Sequence, residues 1–173
     1  LLSLTRMRLS GRMQMEAFSL PDAISQALAS VAQRANEKSI AVTSNVESSV
    51  GQVVAHEFSI NAMITNLLFN ALKYTPENQS VHLDAKGYDD HVQMDVSDTG
   101  IGIPAQELEN VFDEFFRGSN AQKIERDGSG LGLSIVKQIV ERHHGKISAI
   151  SQEGQGSTFT VILPKDCSTP VCL

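Results

Sequence analysis

The apolar rhythm of the chain changes abruptly at Pro76. Before it, Ser59 to Tyr74 is strongly apolar with a helical repeat; after it, Val81, Leu83 and Ala85, then Val92, Met94 and Val96, alternate with polar residues around a turn at 87–90. Apolar positions recurring about every 3.6 residues bury a helix face, and those recurring every second residue bury one face of a strand. A helix followed at once by an antiparallel hairpin over 80–97 restricts the chain to a sheet with helices laid on it.

The flanking segments repeat that alternation. Pro21 opens a helix to Glu37 with Ile24, Leu28, Val31 and Ala35 on one face, and Ser19 assists its start. Strands are expected near 39–46 and 51–55, a short helix from Pro104 through Phe112, a helix from Leu131 to His143 ended by Gly145, and strands at 146–151 and 157–163 joined by an EGQG turn. Helices and antiparallel strands mix without strict βαβ repetition. The expected class is α/β, a two-layer sandwich of a mixed, mainly antiparallel sheet and helices. A chain of 173 residues suits one such domain with a short appendage. The first residues keep a helical rhythm that halts near Gly11, as a plain amphipathic helix or the end of a longer one would.

Several residues suit a magnesium nucleotide. Asn66, Asn70 and Lys73 share one face of the 59–74 helix, and a carboxamide oxygen is a hard, neutral ligand of the kind Mg²⁺ takes beside phosphates. Lys73 offers a point charge and Tyr74 a ring, although such residues on a helix are also simply solvated. Asp98 ends an apolar strand just before Gly100 and Gly102. A carboxylate only accepts hydrogen bonds, so it suits the exocyclic amine of adenine and repels the carbonyl that guanine carries there; glycines let backbone approach a purine. An ordinary Asp-Gly turn is the alternative. Gly128, Gly130 and Gly132 precede a helix, where backbone N–H groups face phosphate oxygens. Between them and Arg117 lies a polar loop, 117–130, long enough to be a lid. Arg117 could reach a γ-phosphate, and Phe112, Phe115 and Phe116 would anchor the closed lid or simply pack in the core; Asp113 and Glu114 read as a solvated face. GIGIPA at 100–105 also fits the looser dinucleotide pattern, but no βαβ unit follows it, and no P-loop exists.

Four stretches in fixed order, NLLFNALKYTP (66–76), DTGIG (98–102), FDEFFR (112–117) and GSGLGL (128–133), resemble the N, G1, F and G2 boxes of the catalytic, ATP-binding domain of sensor histidine kinases, of the GHKL superfamily. The resemblance covers roughly 12–164. It implies the Bergerat-type ATP-binding fold, with ATP and Mg²⁺ as cofactors and Asn70 as the metal ligand. It also implies catalytic roles for Asn70, Lys73 and Arg117. Nucleotide contacts would come from Asn66, Asn70, Lys73, Tyr74, Asp98, Gly100, Gly102, Gly128, Gly130, Leu131 and Gly132. GQGSTF (154–159) resembles the last glycine box, in which Thr158 would support Asp98.

In related hydrolases a glutamate four residues before the metal asparagine activates water; Asn66 stands there and cannot act as a base at neutral pH. The resemblance therefore favours phosphoryl transfer to a histidine on a dimerisation domain. The alternatives are a nucleotide-gated regulatory module or an ATPase without transfer. None of the five histidines sits in the family's acceptor pattern; His56, followed by Glu57, lies just before the nucleotide helix, and His143 and His144 suit a helix C-terminus. The implied organisation is a stub of dimerisation helix and connector at 1–18, the ATP-binding domain at 19–164 and a flexible tail at 165–173. A response regulator and a homodimeric parent protein are the expected partners.

Composition excludes some classes. Net charge is −6 and the cations are scattered, so the footprint of a nucleic-acid binder is missing. No apolar run approaches the roughly 18 residues that would cross a bilayer, so a cytoplasmic segment without membrane contact is expected. Cys167 and Cys172 read as free thiols on a frayed end.

Overall fold

The computed structural model describes residues 14–124 and 129–168. The expected N-terminal helical segment up to Gly11, Gly128 and Cys172 lie outside the described residues. Strand β1 (Glu16–Ser19) runs directly into helix α1 (Leu20–Glu37). Ser19 Oγ accepts the Asp22 N–H at 3.3 Å, and Pro21 occupies the first turn, where its missing N–H has no consequence. Asp22 in the first turn and Arg34 in the last complement the helix dipole.

The buried face of α1 packs on helix α2 (Glu57–Tyr74), which in turn packs on helix α4 (Gly132–Arg142); helix α3 (Ser119–Ile124) lies between them in sequence. Lying between α1 and α4 and above the sheet, α2 is apolar around most of its circumference, with Ile60, Met63, Ile64, Leu67, Leu68 and Leu72 buried. Thr75 and Pro76 end it, and Thr75 Oγ1 donates back to the Ala71 carbonyl at 2.7 Å.

The remaining strands are β2 (Ala41–Val46), β3 (Gln52–Ala55), β4 (Ser80–Gly87), β5 (His91–Asp98), β6 (Lys146–Gln152) and β7 (Gly156–Pro164). Among the described residues they form a five-stranded sheet of order β2-β4-β5-β7-β6 and a two-stranded pair β1-β3. The hairpin expected over 80–97 is present, with Leu83 opposite Val96 and Val81 opposite Asp98. Only β2 runs parallel to its neighbour, so the sheet is mixed and mainly antiparallel. Val81, Leu83, Ala85, Val92, Met94, Val96, Val161 and Leu163 project beneath the helices. The opposite face carries polar pairs such as Asn45 with Asp84 and Thr160 with Asp95.

Four segments depart from the sequence expectation: strand β1 and helix α3, which had no counterpart in it, and two more. The short helix after Pro104 is a 3-10 helix confined to Ala105–Asn110. Beyond Pro164 the chain is held as far as Ser168 rather than frayed: the Val54 N–H donates to the Lys165 carbonyl at 2.7 Å and the Cys167 N–H to the Val54 carbonyl at 2.8 Å. Cys167 is free but 1% exposed, and burial pushes its thiol up to about 12, so it is a small hydrophobe and not a reactive group.

His143 is fully buried where α4 meets the β3–α2 junction. Its Nδ1 lies 2.7 Å from the Ile139 carbonyl and its Nε2 accepts the His56 N–H at 3.2 Å, a pattern that requires a neutral ring. His143 thus meets the helix C-terminus as a neutral donor, not as a cation. Burial holds its pKa below the usual histidine value. The unfolded chain therefore takes up this proton first, and stability falls as pH drops below about 6.5 until the folded pKa is reached. His143→Gln, which keeps one donor and one acceptor, is expected to flatten the fall of the melting temperature as pH drops below about 6.5, checked by calorimetry. An unchanged slope would mean that another group sets it.

Candidate functional site

A cleft of about 400 Å³ opens between α2, the end of β5 and the segment leading to α4. Asn66, Asn70 and Lys73 line it from a single face of α2, together with Phe69, which lies on the same face by spacing. The Asn66 amide donates to the Ala62 carbonyl at 2.8 Å. Its Oδ1 points across to the start of α4, 3.8 Å from where a side chain on Gly132 would begin.

Asp98 forms the acidic end of the cleft. Its Oδ1 accepts the Gly100 N–H at 2.8 Å, and the Ser157 backbone also bonds to it. Burial nevertheless raises its pKa above the usual carboxylate value, because desolvation outweighs those two bonds. The following loop is tied on both sides: the Ile101 N–H donates to the Tyr74 carbonyl at 3.1 Å, and the Gly154 N–H to the Ile101 carbonyl at 2.8 Å. Gly102, at φ 64°, would place a β-carbon 2.0 Å from the Gln152 carbonyl oxygen, so no other residue fits there. Among the described residues three that line it are cationic, Arg34, Lys73 and Arg117, against one acid, Asp98. Such a cleft favours a ligand that is a hydrogen-bond donor at one end and an anion at the other.

The two ends of the expected lid meet at its base. The Phe115 N–H donates to the Gly130 carbonyl at 3.1 Å, and both residues have left-handed φ, 65° and 67°. The three phenylalanines part company. Phe112 packs edge-on against Phe159 at 6.2 Å, Phe116 lines the cleft, and Phe115 is 70% exposed. Asp113 and Glu114 are exposed, as a solvated face should be. Within the lid, α3 brings Asn120 back to donate to the Gly102 carbonyl at 2.9 Å.

Of the residues singled out from sequence, Asn66, Asn70, Lys73, Tyr74 and Asp98 line the cleft, as do Gly102, Arg117, Gly130 and Gly132. Gly100 stands behind, closing on the Tyr74 carbonyl, and Leu131 is the N-cap residue of α4. Thr158 is on the other face of β7, where its hydroxyl lies 2.8 Å from that of Ser97. Ser157, opposite Asp98 in register, has the position expected of Thr158. Strand alternation carried that signal, since Ser157 must share a face with buried Phe159. Phe69 was legible from its spacing to Asn66 and Lys73, whereas Arg34 reaches the cleft from α1 and had no local signal. His56 precedes α2 with Nδ1 2.7 Å from Ser59 Oγ, away from the cleft.

Comparison with known proteins gives concordant results. The family model described as histidine kinase-, DNA gyrase B-, and HSP90-like ATPase matches residues 55–166. An uncharacterised sensor-like histidine kinase of Rhizobium meliloti (strain 1021) is 36% identical over 154 residues, which is 89% of this chain and 29% of that protein. The sensor-like histidine kinase SenX3 of Mycolicibacterium smegmatis is 32% identical over 95% of this chain and 43% of its own length. The chain thus spans less than half of these curated relatives. Among solved structures, the catalytic domain of histidine kinase ThkA superposes with a TM-score of 0.78 at 26% identity, covering 89% of this chain and 99% of that one. Full-length ShkA in complex with AMPPNP gives 0.79 at 27% identity, over 94% of this chain and 34% of that one.

Proposed function

The chain belongs to the histidine kinase-, DNA gyrase B- and HSP90-like ATPase family, with the fold of sensor histidine kinase catalytic domains, and from that premise we propose that it binds Mg·ATP and donates the γ-phosphoryl group to a histidine on a dimerisation domain. One observation carries the reading: a half-buried carboxylate, Asp98, stands in the same cleft as Arg34, Lys73 and Arg117. An adenine amine matches the first and a triphosphate the others. The solved ShkA complex with AMPPNP, an ATP analogue, supports the same ligand class for this chain.

Transfer is favoured over hydrolysis because the described residues place no second carboxylate in the cleft to act as a base. Asp98 is the sole acid lining the cleft among the described residues, and the position of a water-activating glutamate is held by Asn66, whose amide is bonded to its own helix. In transfer, an imidazole nitrogen forms a bond to the γ-phosphorus, the bond from that phosphorus to the β,γ-bridging oxygen breaks, and ADP leaves. The role of this chain is to hold the triphosphate for in-line attack and to offset its charge with Lys73 and Arg117. Asn70, an oxygen donor in a cleft where the described residues gather no cluster of three or more acidic, histidine or cysteine side chains, fits a Mg²⁺ held mainly by the phosphates, which would neutralise part of their charge.

Thr158 is not retained in this reading; Ser157 replaces it beside Asp98. The names of the relatives support a sensor kinase as the parent protein; a homodimeric parent, a response regulator downstream and a cytoplasmic site of action belong to the same proposal. No described helix is long and apolar enough to cross a membrane. The test is a melting shift with Mg·ATP and not with Mg·GTP, followed by incubation with the dimerisation domain and γ-labelled ATP. An acid-labile, base-stable label on that domain is expected. Nucleotide binding without any label would instead favour the regulatory module.

A further inference from the structure

We propose that Lys38, the residue capping the end of α1, is a positioning residue for the purine end of the cleft, a role that rests on the ATP-binding reading above. A helix leaves its last four carbonyls without intrahelical partners. In α2 these belong to Ala71, Leu72, Lys73 and Tyr74, and the last two of those residues line the cleft. The Ala71 carbonyl accepts the Thr75 hydroxyl at 2.7 Å, and the Tyr74 carbonyl accepts the Ile101 N–H at 3.1 Å. Lys38 supplies the rest: its Nζ donates to the Leu72 carbonyl at 2.6 Å, the Lys73 carbonyl at 3.4 Å and the Thr75 carbonyl just beyond at 2.5 Å.

One ammonium therefore closes the end of α2, where the helix dipole also favours a cation. Its own backbone is anchored, because the Lys38 carbonyl accepts the Asn78 N–H at 3.4 Å. The consequence reaches Asp98 through a short chain of contacts. Lys38 holds the Lys73–Thr75 backbone, the Tyr74 carbonyl holds Ile101, and the Gly100 N–H on the same loop bonds to the Asp98 carboxylate at 2.8 Å. The fit is close, since a β-carbon on Gly100 would lie 2.4 Å from the Tyr74 oxygen. Without the ammonium, three carbonyls at the end of α2 and just beyond it lose their donor, and the Tyr74 carbonyl and the purine loop it holds lose their common reference.

The test is nucleotide titration of Lys38→Met, which keeps the apolar stem, and Lys38→Arg, which keeps a cation, at a temperature where each is folded. Lys38→Met is expected to weaken ATP, ADP and AMP by the same factor, roughly tenfold, and Lys38→Arg to restore most of it. A loss confined to ATP would mean that Lys38 acts on phosphate charge, and a lower melting temperature with unchanged affinities would mean a purely structural cap; either overturns the proposal. If Lys38→Met does not fold, Lys38→Gln, with one amide donor group, is read in its place, and an affinity equal to wild type overturns it. Wild-type protein that binds no ATP would instead sink the underlying reading.

Discussion

Asp98→Asn is expected to weaken ATP binding by roughly ten- to a hundredfold, the range for losing a hydrogen bond to a charged group, while raising the melting temperature of the ligand-free protein. The two effects share one cause. Burial raises the Asp98 pKa, so the ionised carboxylate is held in the fold against its own desolvation. A group whose folded pKa lies above its unfolded value favours the fold at low pH, and that contribution is lost as pH rises through the folded pKa. At neutral pH the neutral amide removes this penalty. It also removes the second acceptor oxygen. Once the Gly100 backbone bond claims Oδ1, the amide nitrogen of the variant points a donor at a donor on adenine. Calorimetric titration and scanning calorimetry near pH 7 measure both quantities. Unchanged affinity would remove the purine end of the site, and wild-type affinity that fails to fall on acidification would show that the charge is not what the ligand meets.

Gly156→Ala should destabilise the fold by about 3 kcal/mol, combining backbone strain with overpacking, and should cost ATP affinity as well. Gly156 begins β7 at φ 117°, and a β-carbon there would lie 1.9 Å from the Asp98 carbonyl oxygen and 2.9 Å from the Thr99 Cα. Both are backbone atoms, so relief requires β5 and β7 to separate where Asp98 pairs with Ser157. Gly154 provides the control. Its φ is 79° but nothing lies within 4 Å of its notional side chain, so Gly154→Ala should cost only about 1 kcal/mol, the left-handed strain alone. Urea denaturation separates the two variants. Equal losses would show that conformation, not space, selects glycine in this turn.

Both variants probe a region whose chemistry was legible and whose exact neighbours were not. Asn66, Asn70 and Lys73 were placed together from spacing because helix geometry puts residues three and four apart on one face. The hairpin of β4 and β5, and with it the position of Asp98, followed from alternation. Thr158 shows the boundary of that approach: matching a motif selected it, yet a shift of one residue moves a strand side chain to the other face, and Ser157 stands in the cleft.

Local patterns are written in a few neighbouring residues, so the sequence by itself settled the three long helices, most strands, the glycine turns and the family of ATP-binding domains. Which distant segments meet was settled only by burial of the whole core. The chain alone did not say that β2 would lie parallel to β4, that β3 would pair with β1, or that residues 165–168 would dock beside β3. Nor did it bring Arg34 to the cleft or Lys38 to the end of α2. These last two contacts arise because α1 must cover α2 to bury both apolar faces, and polar groups at the ends of packed helices then take whatever partners that packing brings within reach.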